Sequence, residues 1–555
     1  MDWVDALALV LLFAAAAALR IYPMGSVSLW WDELVQIQTA SKGSLGEVLE
    51  QVRLGIPPGH GNAGAVPLDY LFLHGWISST PNPPPAWLEI YYRLPALFWN
   101  VLTVLLTYLY GRRFFDRGVG LVAGGLLALS ISHSLYGAEV RFYSLFALMT
   151  MINLWAFSAL VFDRERVSLW FGFTAIALLY FATGLFGLLV LLSQYAILFV
   201  LLLIDFSSHS GPRSRQDRIR PLFPFFSGLV VLAAVAIYMR DTLLDARYGR
   251  STSNLDLWER MVGAIEFFAD GNNLLVWAFA AGLVLILVDG RRRSREHFSI
   301  TLQLVVCFAT IPVIIEIERW KEYYFHPRHV FFLVPVFALI AGGGLLSAFR
   351  GFDPLGRLKL GSNLRNRTYI GLALLLILGT QITPILDHLE PPHRKFNRTK
   401  TLRDFKSLAQ DLQERVEELE PGSVYLLITD RRKPGHIANP MLAKYLEWYG
   451  LDDRVVVRAS DRPNSLRARF RRVCPDGCVG QPVNQVRMKL RAPGPYSISE
   501  PIRELIGIPP TAFRTEPVGA VGLLHFWTFR NGPPRRAPGF RVRRYTGFSF
   551  FEDKP

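Results

Sequence analysis

Long apolar runs separated by short charged loops constrain this chain more than any other feature of its sequence. Hydrophobic residues make up 51% of the chain and charged residues 19%, for a mean hydropathy of +0.26. A helix needs about 20 mostly apolar residues to cross the hydrocarbon core of a bilayer. By that length we predict about eleven spans, near 4–22, 93–111, 118–137, 142–162, 168–184, 186–205, 221–239, 273–289, 298–316, 329–349 and 369–387. The sequence therefore predicts a mainly α, polytopic membrane protein.

The first run is predicted to remain as a helix rather than to be cleaved as a signal peptide. No strongly basic segment precedes it, and no clear small-residue cleavage site leads from it into a soluble region. The net charge of +15 also fits a membrane protein, because much of it lies in short loops between apolar runs. We therefore do not expect nucleic acid as a partner.

Basic loops set the predicted orientation. They hold Arg112, Arg113 and Arg117, then Arg164 and Arg166, then Arg213, Arg215, Arg218 and Arg220, then Arg291, Arg292, Arg293 and Arg295, and finally Arg350, Arg357, Lys359, Arg365 and Arg367. An odd number of spans puts all of these loops on one face, which the positive-inside rule assigns to the cytoplasm. The N-terminus is then cytoplasmic and the tail periplasmic or extracellular, in what we expect to be a bacterial inner (plasma) membrane.

The chain is expected to divide into a transmembrane domain over 1–387 and a soluble extracytoplasmic α/β domain over 388–555. The tail alternates between a helix at 401–418, a strand at 423–429, a helix at 441–449, a strand at 454–458 and, further on, a strand at 521–529. We expect this domain either to bind sugar or peptide or merely to cover the membrane part. Its sequence singles out no catalytic constellation.

Cys474 and Cys478 flank Pro-Asp-Gly in the tail, and the chain has three cysteines in all. This spacing predicts a small disulfide loop if the tail lies outside the cytoplasm. Half of a metal site is the alternative, but no second Cys or His pair stands nearby. We therefore favour the disulfide.

The first external loop, 23–92, contains the motif Trp30-Trp31-Asp32-Glu33 just after the first span. Carboxylates this close to a bilayer are costly unless they face water or bind a ligand, whereas aromatic rings are stable at the interface. One interpretation is an acidic site held at the membrane surface. The other is that both acids favour the N-terminus of the next helix, predicted near 33–52. The motif alone does not decide between them.

The rest of this loop offers further candidates. A Gly/Pro-rich stretch at 55–64, which contains His60, suits a mobile lid and equally a plain surface loop. The apolar stretch 67–76, which contains Asp69, predicts a half-buried helix at the interface.

Basic and aromatic residues from three other parts of the chain are predicted to reach the same face. They are Arg93 at the end of the first loop, Arg141 and Tyr143 where the third and fourth spans meet, and His326, Arg328 and His329 before the tenth span. A single arginine of this kind more often snorkels to lipid headgroups, and two histidines three residues apart indicate a metal only weakly. As a group, however, the arginines suit a lipid-linked phosphate, and a carboxylate suits proton transfer from a second substrate.

These motifs resemble, in order and spacing, those of the GT-C glycosyltransferases that use polyprenyl-phosphate sugars, among them the protein O-mannosyltransferases and the lipid A aminoarabinose transferases. The resemblance covers roughly residues 1 to 350 and involves Asp32-Glu33, Val66-Pro67-Leu68-Asp69-Tyr70, Arg93-Leu94-Pro95-Ala96-Leu97, Glu139 to Leu145, and Arg328 to Pro335. The departures are Val66 for a proline, Asp69 for an aromatic, Ala182-Thr183-Gly184 where the family often has Thr-His, and His329 for an aromatic. They leave the sugar and the acceptor open more than the reaction type.

The resemblance implies transfer of a sugar, with inversion, from a polyprenyl-phosphate donor to a hydroxyl of a lipid, glycan or protein. Asp32 would be the base and Glu33 would orient it. The implied ligands of the donor phosphate are Arg141, Arg93 and Arg328, with Tyr143, and the implied contacts to acceptor or sugar are Trp31, His60 and Asp69. A divalent metal ion held by Asp32, Glu33 or His326 stays an open alternative, and no other cofactor is implied.

Two other functions stay open. One is a flippase or transporter of lipid-linked sugars that performs no chemistry, although no internal repeat is visible and the polar residues cluster outside the spans. The other is a polysaccharide polymerase or ligase that uses a lipid-pyrophosphate donor.

Overall fold

The computed structural model of this chain describes residues 3–25, 28–29, 31–54, 66–80, 83–207, 221–238, 256–320, 325–352, 362–389, 409, 413, 424–429, 444–451, 455–457, 483–488, 515–521 and 524–529. The chain forms two compact units. Unit 1 comprises Met1–Gly25, Val35–Pro83 and Ile90–Glu390, and unit 2 comprises Ser26–Leu34, Pro84–Glu89 and Pro391–Pro555.

Helices account for most of the first 389 residues. They are α1 (Trp3–Met24), α2 (Trp31–Ala40), α3 (Leu45–Leu54), α4 (Pro67–Ser79), α5 (Leu88–Phe114), α6 (Arg117–Leu129), α7 (Ile131–Gly137), α8 (Tyr143–Phe162), α9 (Val167–Phe181), α10 (Gly187–Ser207), α11 (Leu222–Tyr238), α12 (Leu257–Phe268), α13 (Asn273–Arg293), α14 (Arg295–Trp320), α15 (Val334–Phe352) and α16 (Ser362–Leu389). Short 3₁₀ turns at Pro85–Trp87 and Pro327–Leu333 precede α5 and α15.

Seven of the described helices are long and apolar enough to cross a membrane, and an eighth span arises if the bent pair α6–α7 is counted as one. Three shorter apolar helices lie in α1, α9 and α11. Each predicted run therefore contains a helix, and the protein is a mainly α integral membrane protein. The count of eleven spans stays a prediction, because α9 and α11 are shorter than a standard crossing and α1 is apolar enough only over Leu9–Ile21.

The 60° break between α6 and α7 has a specific set of hydrogen bonds around it. The carboxylate of Asp270 accepts hydrogen bonds from two backbone amides in the first turn of α7, at 2.7 and 3.0 Å. The guanidinium of Arg20, fully buried in α1, donates to the carbonyl oxygens of Leu127 and Ala128 at 3.1 Å each. These side chains satisfy backbone groups that a broken helix leaves open, which an apolar environment requires.

Two glycines explain why α13 and α15 pack so closely. A Cβ atom on Gly282 would lie 2.2 Å from the carbonyl oxygen of Ile340, and one on Gly344 would lie 2.1 Å from that of Ala278. A larger residue at either position would therefore separate the backbones. Small residues at such crossings are typical of helix pairs in membranes.

Ion pairs join several loops at one end of the unit 1 helices, which we call the paired end. It is defined by Phe115–Asp116, Arg164, Asp205, Arg293–Arg295 and Arg350. Arg350 binds Asp116 at 2.8 Å, Asp205 binds Arg164 at 2.9 Å and Arg295 at 2.6 Å, and Arg293 donates to the carbonyl oxygen of Phe115 at 2.9 Å. The basic loops described here thus share one end, as the loop charges predict.

The described residues of unit 2 contain five strands: β1 (Val424–Thr429), β2 (Val455–Val457), β3 (Val483–Met488), β4 (Thr515–Val521) and β5 (Leu524–Phe529). They form a mixed sheet in the order β2-β1-β3-β5-β4. Strand β1 is parallel to β2 and β3, whereas β5 is antiparallel to β3 and β4. Residues 444–448 are helical, as are 409 and 413.

The structure corrects two predicted elements. The single strand expected at 521–529 corresponds to the last residue of β4, Val521, and to β5, which is antiparallel to β4. The single helix expected near 33–52 is α2 and α3, which a turn at 41–44 separates. Its sequence, Ser-Lys-Gly-Ser, is of the kind that interrupts helices.

Candidate active site

The acidic pair occupies the first turn of α2. Asp32 is half-buried, whereas Glu33 is fully buried. Acidic residues in a first turn interact favourably with the helix dipole, so the position fits the simpler of the two interpretations as well. The backbone of Trp31 begins the helix, but its side chain lies outside the described part of the chain, as do His60, Cys474 and Cys478.

Several segments of unit 1 meet at the end of its helices opposite the paired end, and we call this the site end. It is defined by Met24, Asp69, Arg93, Tyr136–Tyr143, Arg260, Phe267–Asp270, Glu318 and His326–Phe331. The buried Arg93 donates to the carbonyl oxygen of Met24 at 2.7 Å, which joins the start of α5 to the end of α1. The Tyr136 ring lies 5.3 Å from that of Phe267 and 6.0 Å from that of His326. Segments distant in the chain therefore converge here.

Asp69 is a buried carboxyl group with a neutral hydrogen-bond donor. It lies in α4 and accepts a hydrogen bond from the side-chain amide of Gln36 in α2. Burial raises the pKa of Asp69 to about 6, against the opposing effects of that hydrogen bond and of the positive charge of Arg141. Two of the predicted site residues, Asp69 and Arg141, are thus close enough to interact electrostatically.

Aromatic rings surround Arg141. Its guanidinium carbon lies 5.8 Å from the ring centroids of both Phe142 and Tyr143, which is within the range of cation–π attraction. Tyr143 is buried, and its ring also lies 6.2 Å from that of Phe331 in the segment that follows α14. Tyr143 therefore packs between Arg141 and the segment that carries Arg328.

A second buried carboxylate, Glu318, lies near the end of α14. Its Oε1 atom is 2.6 Å from Nδ1 of His329, and both side chains are at least nine-tenths buried. Arg260 of α12 and Arg328 both interact electrostatically with Glu318. This group brings a predicted residue, Arg328, together with two residues that the motif analysis did not select, Arg260 and Glu318.

His326 is engaged as a helix cap. Its Nδ1 atom accepts a hydrogen bond from the backbone amide of Arg328 at 3.1 Å. Burial lowers the pKa of His326 to about 4, and the charges of Arg328 and His329 act in the same direction. The ring is therefore neutral near pH 7 and has only Nε2 left for a ligand. Among the residues that the structure describes, no three His, Cys, Asp or Glu side chains are grouped so that they could hold a metal ion.

The motif analysis did not select three residues of the candidate site: Glu318, Arg260 and Gln36. Only Glu318 could have been recognised from the sequence. Glu318 follows a long apolar run, and an acid at such a position is by default a functional candidate. Arg260 and Gln36 stand in ordinary amphipathic helices, so only their partners in the fold distinguish them.

The fold has recognisable neighbours among solved structures. ArnT from Cupriavidus metallidurans, solved with bound undecaprenyl phosphate, aligns with a TM-score of 0.50 and 14% identity over 93% of this chain and 97% of that chain. An oligosaccharyltransferase from Archaeoglobus fulgidus, tethered to an acceptor peptide, aligns with a TM-score of 0.46 and 12% identity over 83% and 64%. Its complex with zinc and sulfate aligns with a TM-score of 0.43 and 13% identity over 82% and 62%.

The chain spans less than two thirds of the length of the oligosaccharyltransferase, but nearly all of ArnT. No protein-family model and no curated protein sequence matches it. ArnT, a lipid A aminoarabinose transferase, has a GT-C fold. The alignment over almost the full length of both chains shows that this chain has the same fold, which confirms the predicted resemblance at the level of architecture.

Proposed function

We propose that this chain is a membrane glycosyltransferase that transfers a sugar from a polyprenyl-phosphate donor to a hydroxyl of a lipid, glycan or protein. The GT-C fold supports the reaction class, and the ArnT structure of the same fold holds undecaprenyl phosphate. The observation that carries the proposal is the site end itself. There, Arg141, Arg260 and Arg328 from distant segments lie near the buried carboxyl groups of Asp69 and Glu318.

In this proposal the arginines bind the donor phosphate. A guanidinium group matches phosphate oxygens with paired hydrogen bonds, and it keeps its charge when partly buried. Arg141 and Arg328 are the principal ligands, and Arg260 joins them. Arg93 is the weaker candidate, because one of its nitrogens is committed to the carbonyl oxygen of Met24.

Asp32 is the proposed base, as the family motif implies. It accepts the proton of the acceptor hydroxyl, whose oxygen attacks the anomeric carbon as the bond from that carbon to the phosphate oxygen breaks. Polyprenyl phosphate leaves with the bonding electrons, and the arginines stabilise its charge. The sugar is transferred with inversion, while Glu33 orients Asp32. Every proposed step uses side chains of this chain.

The proposed orientation puts the paired end in the cytoplasm and the site end on the extracytoplasmic face, since the basic loops lie at the paired end. The transmembrane domain over 1–387 would then carry the donor site, and the domain over 388–555 would lie outside. Cys474 and Cys478 would form a disulfide there.

The test uses the full chain in liposomes with radiolabelled polyprenyl-phosphate sugars as donors and a panel of lipid, glycan and peptide acceptors. Wild type is expected to release polyprenyl phosphate and to label one acceptor class. Asp32→Asn should abolish transfer and leave binding of polyprenyl phosphate unchanged. Asp289→Asn, an exposed acid that pairs with Arg293, is the matched control and should transfer like wild type.

Three results would contradict the proposal in different ways. Near wild-type turnover by Asp32→Asn would remove Asp32 as the base. Movement of intact donor across the bilayer without release of polyprenyl phosphate would indicate a transporter. Transfer only from a lipid-pyrophosphate donor would indicate a polymerase or ligase.

A further inference from the structure

Tyr445 forms two hydrogen bonds inside unit 2 that connect segments far apart in the chain. It lies in the helical segment 444–448, and its side chain is fully buried. Its hydroxyl donates to Oε1 of Glu89 at 3.0 Å and accepts from the backbone amide of Leu29 at 2.7 Å. Glu89 and Leu29 are also fully buried.

Such an arrangement holds its partners firmly. A hydrogen bond to a carboxylate is stronger than a neutral one, and a buried amide left without its acceptor costs about 1–3 kcal/mol. The hydroxyl serves both partners at once, so removing one oxygen atom breaks both bonds. Since unit 2 contains Ser26–Leu34, Pro84–Glu89 and the tail, these bonds join all three of its segments.

Leu29 stands two residues before α2, whose first turn carries Asp32 and Glu33. A fixed amide at this point restricts the backbone that leads into the helix. It thereby restricts the direction in which the first turn presents its carboxylates. A misplacement of about 1 Å in a catalytic group can cost as much as 100-fold in rate.

We infer that Tyr445 is a positioning residue that fixes the start of α2, and through it the acidic pair, from the C-terminal part of the chain. The inference rests on the proposed function, in which Asp32 is the base. It gives the C-terminal domain a role in the reaction: its helix holds the segment that carries the proposed base.

The experiment compares Tyr445→Phe with Tyr449→Phe in the full chain in liposomes. Tyr449 lies one turn further along and is likewise buried, so the control removes the same atom from a neighbouring position. Hydrogen–deuterium exchange of the peptide covering 28–34 reports on the Leu29 amide directly. Steady-state kinetics with a polyprenyl-phosphate sugar report separately on kcat and on KM for the donor.

Tyr445→Phe is expected to speed exchange at Leu29 and to lower kcat about tenfold, with KM for the donor changed less than twofold. Tyr449→Phe should leave all three unchanged. Unchanged exchange at Leu29, an effect confined to KM, or equal effects of the two variants would overturn the inference. Hydrogen–deuterium exchange shows whether Tyr445 holds the Leu29 amide even if wild type transfers no sugar. Absence of transfer would contradict the proposed function, whereas unchanged exchange would contradict the contact between Tyr445 and Leu29.

Discussion

The acidic residues at the two ends of the unit 1 helices have different kinds of partner. At the paired end, Asp116 binds Arg350 and also caps α6 through the amide of Val119, and Asp205 lies between two arginines. At the site end, Asp69 is hydrogen-bonded to a neutral amide, and Glu318 to a histidine. Direct arginine pairing stabilises the ionised acids at the first end. At the second, burial acts against the charge of Asp69.

The pKa values outside the spans show this contrast. The bonds from Arg350 and from two backbone amides lower the pKa of Asp116, although burial opposes them. Burial raises the pKa of Asp69 to about 6. Perturbed acids of the second kind cluster at functional sites, whereas paired acids more often serve the structure. The comparison therefore supports the proposal that the paired end serves orientation and stability and that the site end binds a ligand.

Replacement of one arginine at each end should have the largest contrasting effect. Arg328→Ala is expected to lower sugar transfer about 100-fold, because a lost charge-assisted contact to a developing phosphate charge costs about 3 kcal/mol. Arg350→Ala should keep transfer within about threefold and lower the melting temperature instead. Transfer rates in liposomes and thermal unfolding in micelles measure the two effects. Equal losses of transfer in both variants would end the distinction between the ends.

Asp69→Asn should produce a smaller effect whose sign depends on pH. The folded-state pKa of Asp69 lies above its usual 3.8, so its contribution to stability is full below about pH 4 and is lost as pH rises through about 6. The loss is about 3 kcal/mol above pH 6. Asp69→Asn does not ionise and should melt higher than wild type at pH 7.5 but not at pH 4.

The matched control for Asp69→Asn is Asp116→Asn. The pKa of Asp116 is lowered, so its contribution to stability is present above the usual pKa and is lost as pH falls through the lowered value. Asp116→Asn should therefore melt lower than wild type at pH 7.5, with a difference that shrinks in acid. If both variants shifted melting in the same direction at pH 7.5, the contrast between the ends would fail.

Much of the fold follows from local patterns in the sequence. The apolar runs predict the membrane helices, the basic loops predict a shared end, and the alternation of the tail predicts β1 and β2. These features depend on residues close in the chain. Strand β4 was not predicted beyond Val521 because its Pro517 and Gly519 are untypical of strands, and β3 was not predicted at all.

The candidate site is harder to read from the sequence because its contacts are long-range. Arg141 and Arg328 stand in motifs and could be selected, and the structure places Arg141 near Asp69 and Arg328 near Glu318. Gln36 is recognised as a site residue only by its hydrogen bond to Asp69, which is 33 residues away in sequence. Arg93 also stands in a motif that predicts a ligand, but its bond to the carbonyl oxygen of Met24 is visible only in the fold.

Photo-crosslinking of a polyprenyl phosphate most directly tests the claim that the site end binds the donor. The probe carries a diazirine on the isoprene unit next to the phosphate and is added to the full chain in liposomes. We expect adducts on peptides that contain 137–143 or 325–333, and we expect them to diminish in Arg328→Ala but not in Arg350→Ala. Adducts confined to 112–117 or 350–352, unaffected by Arg328→Ala, would contradict the account.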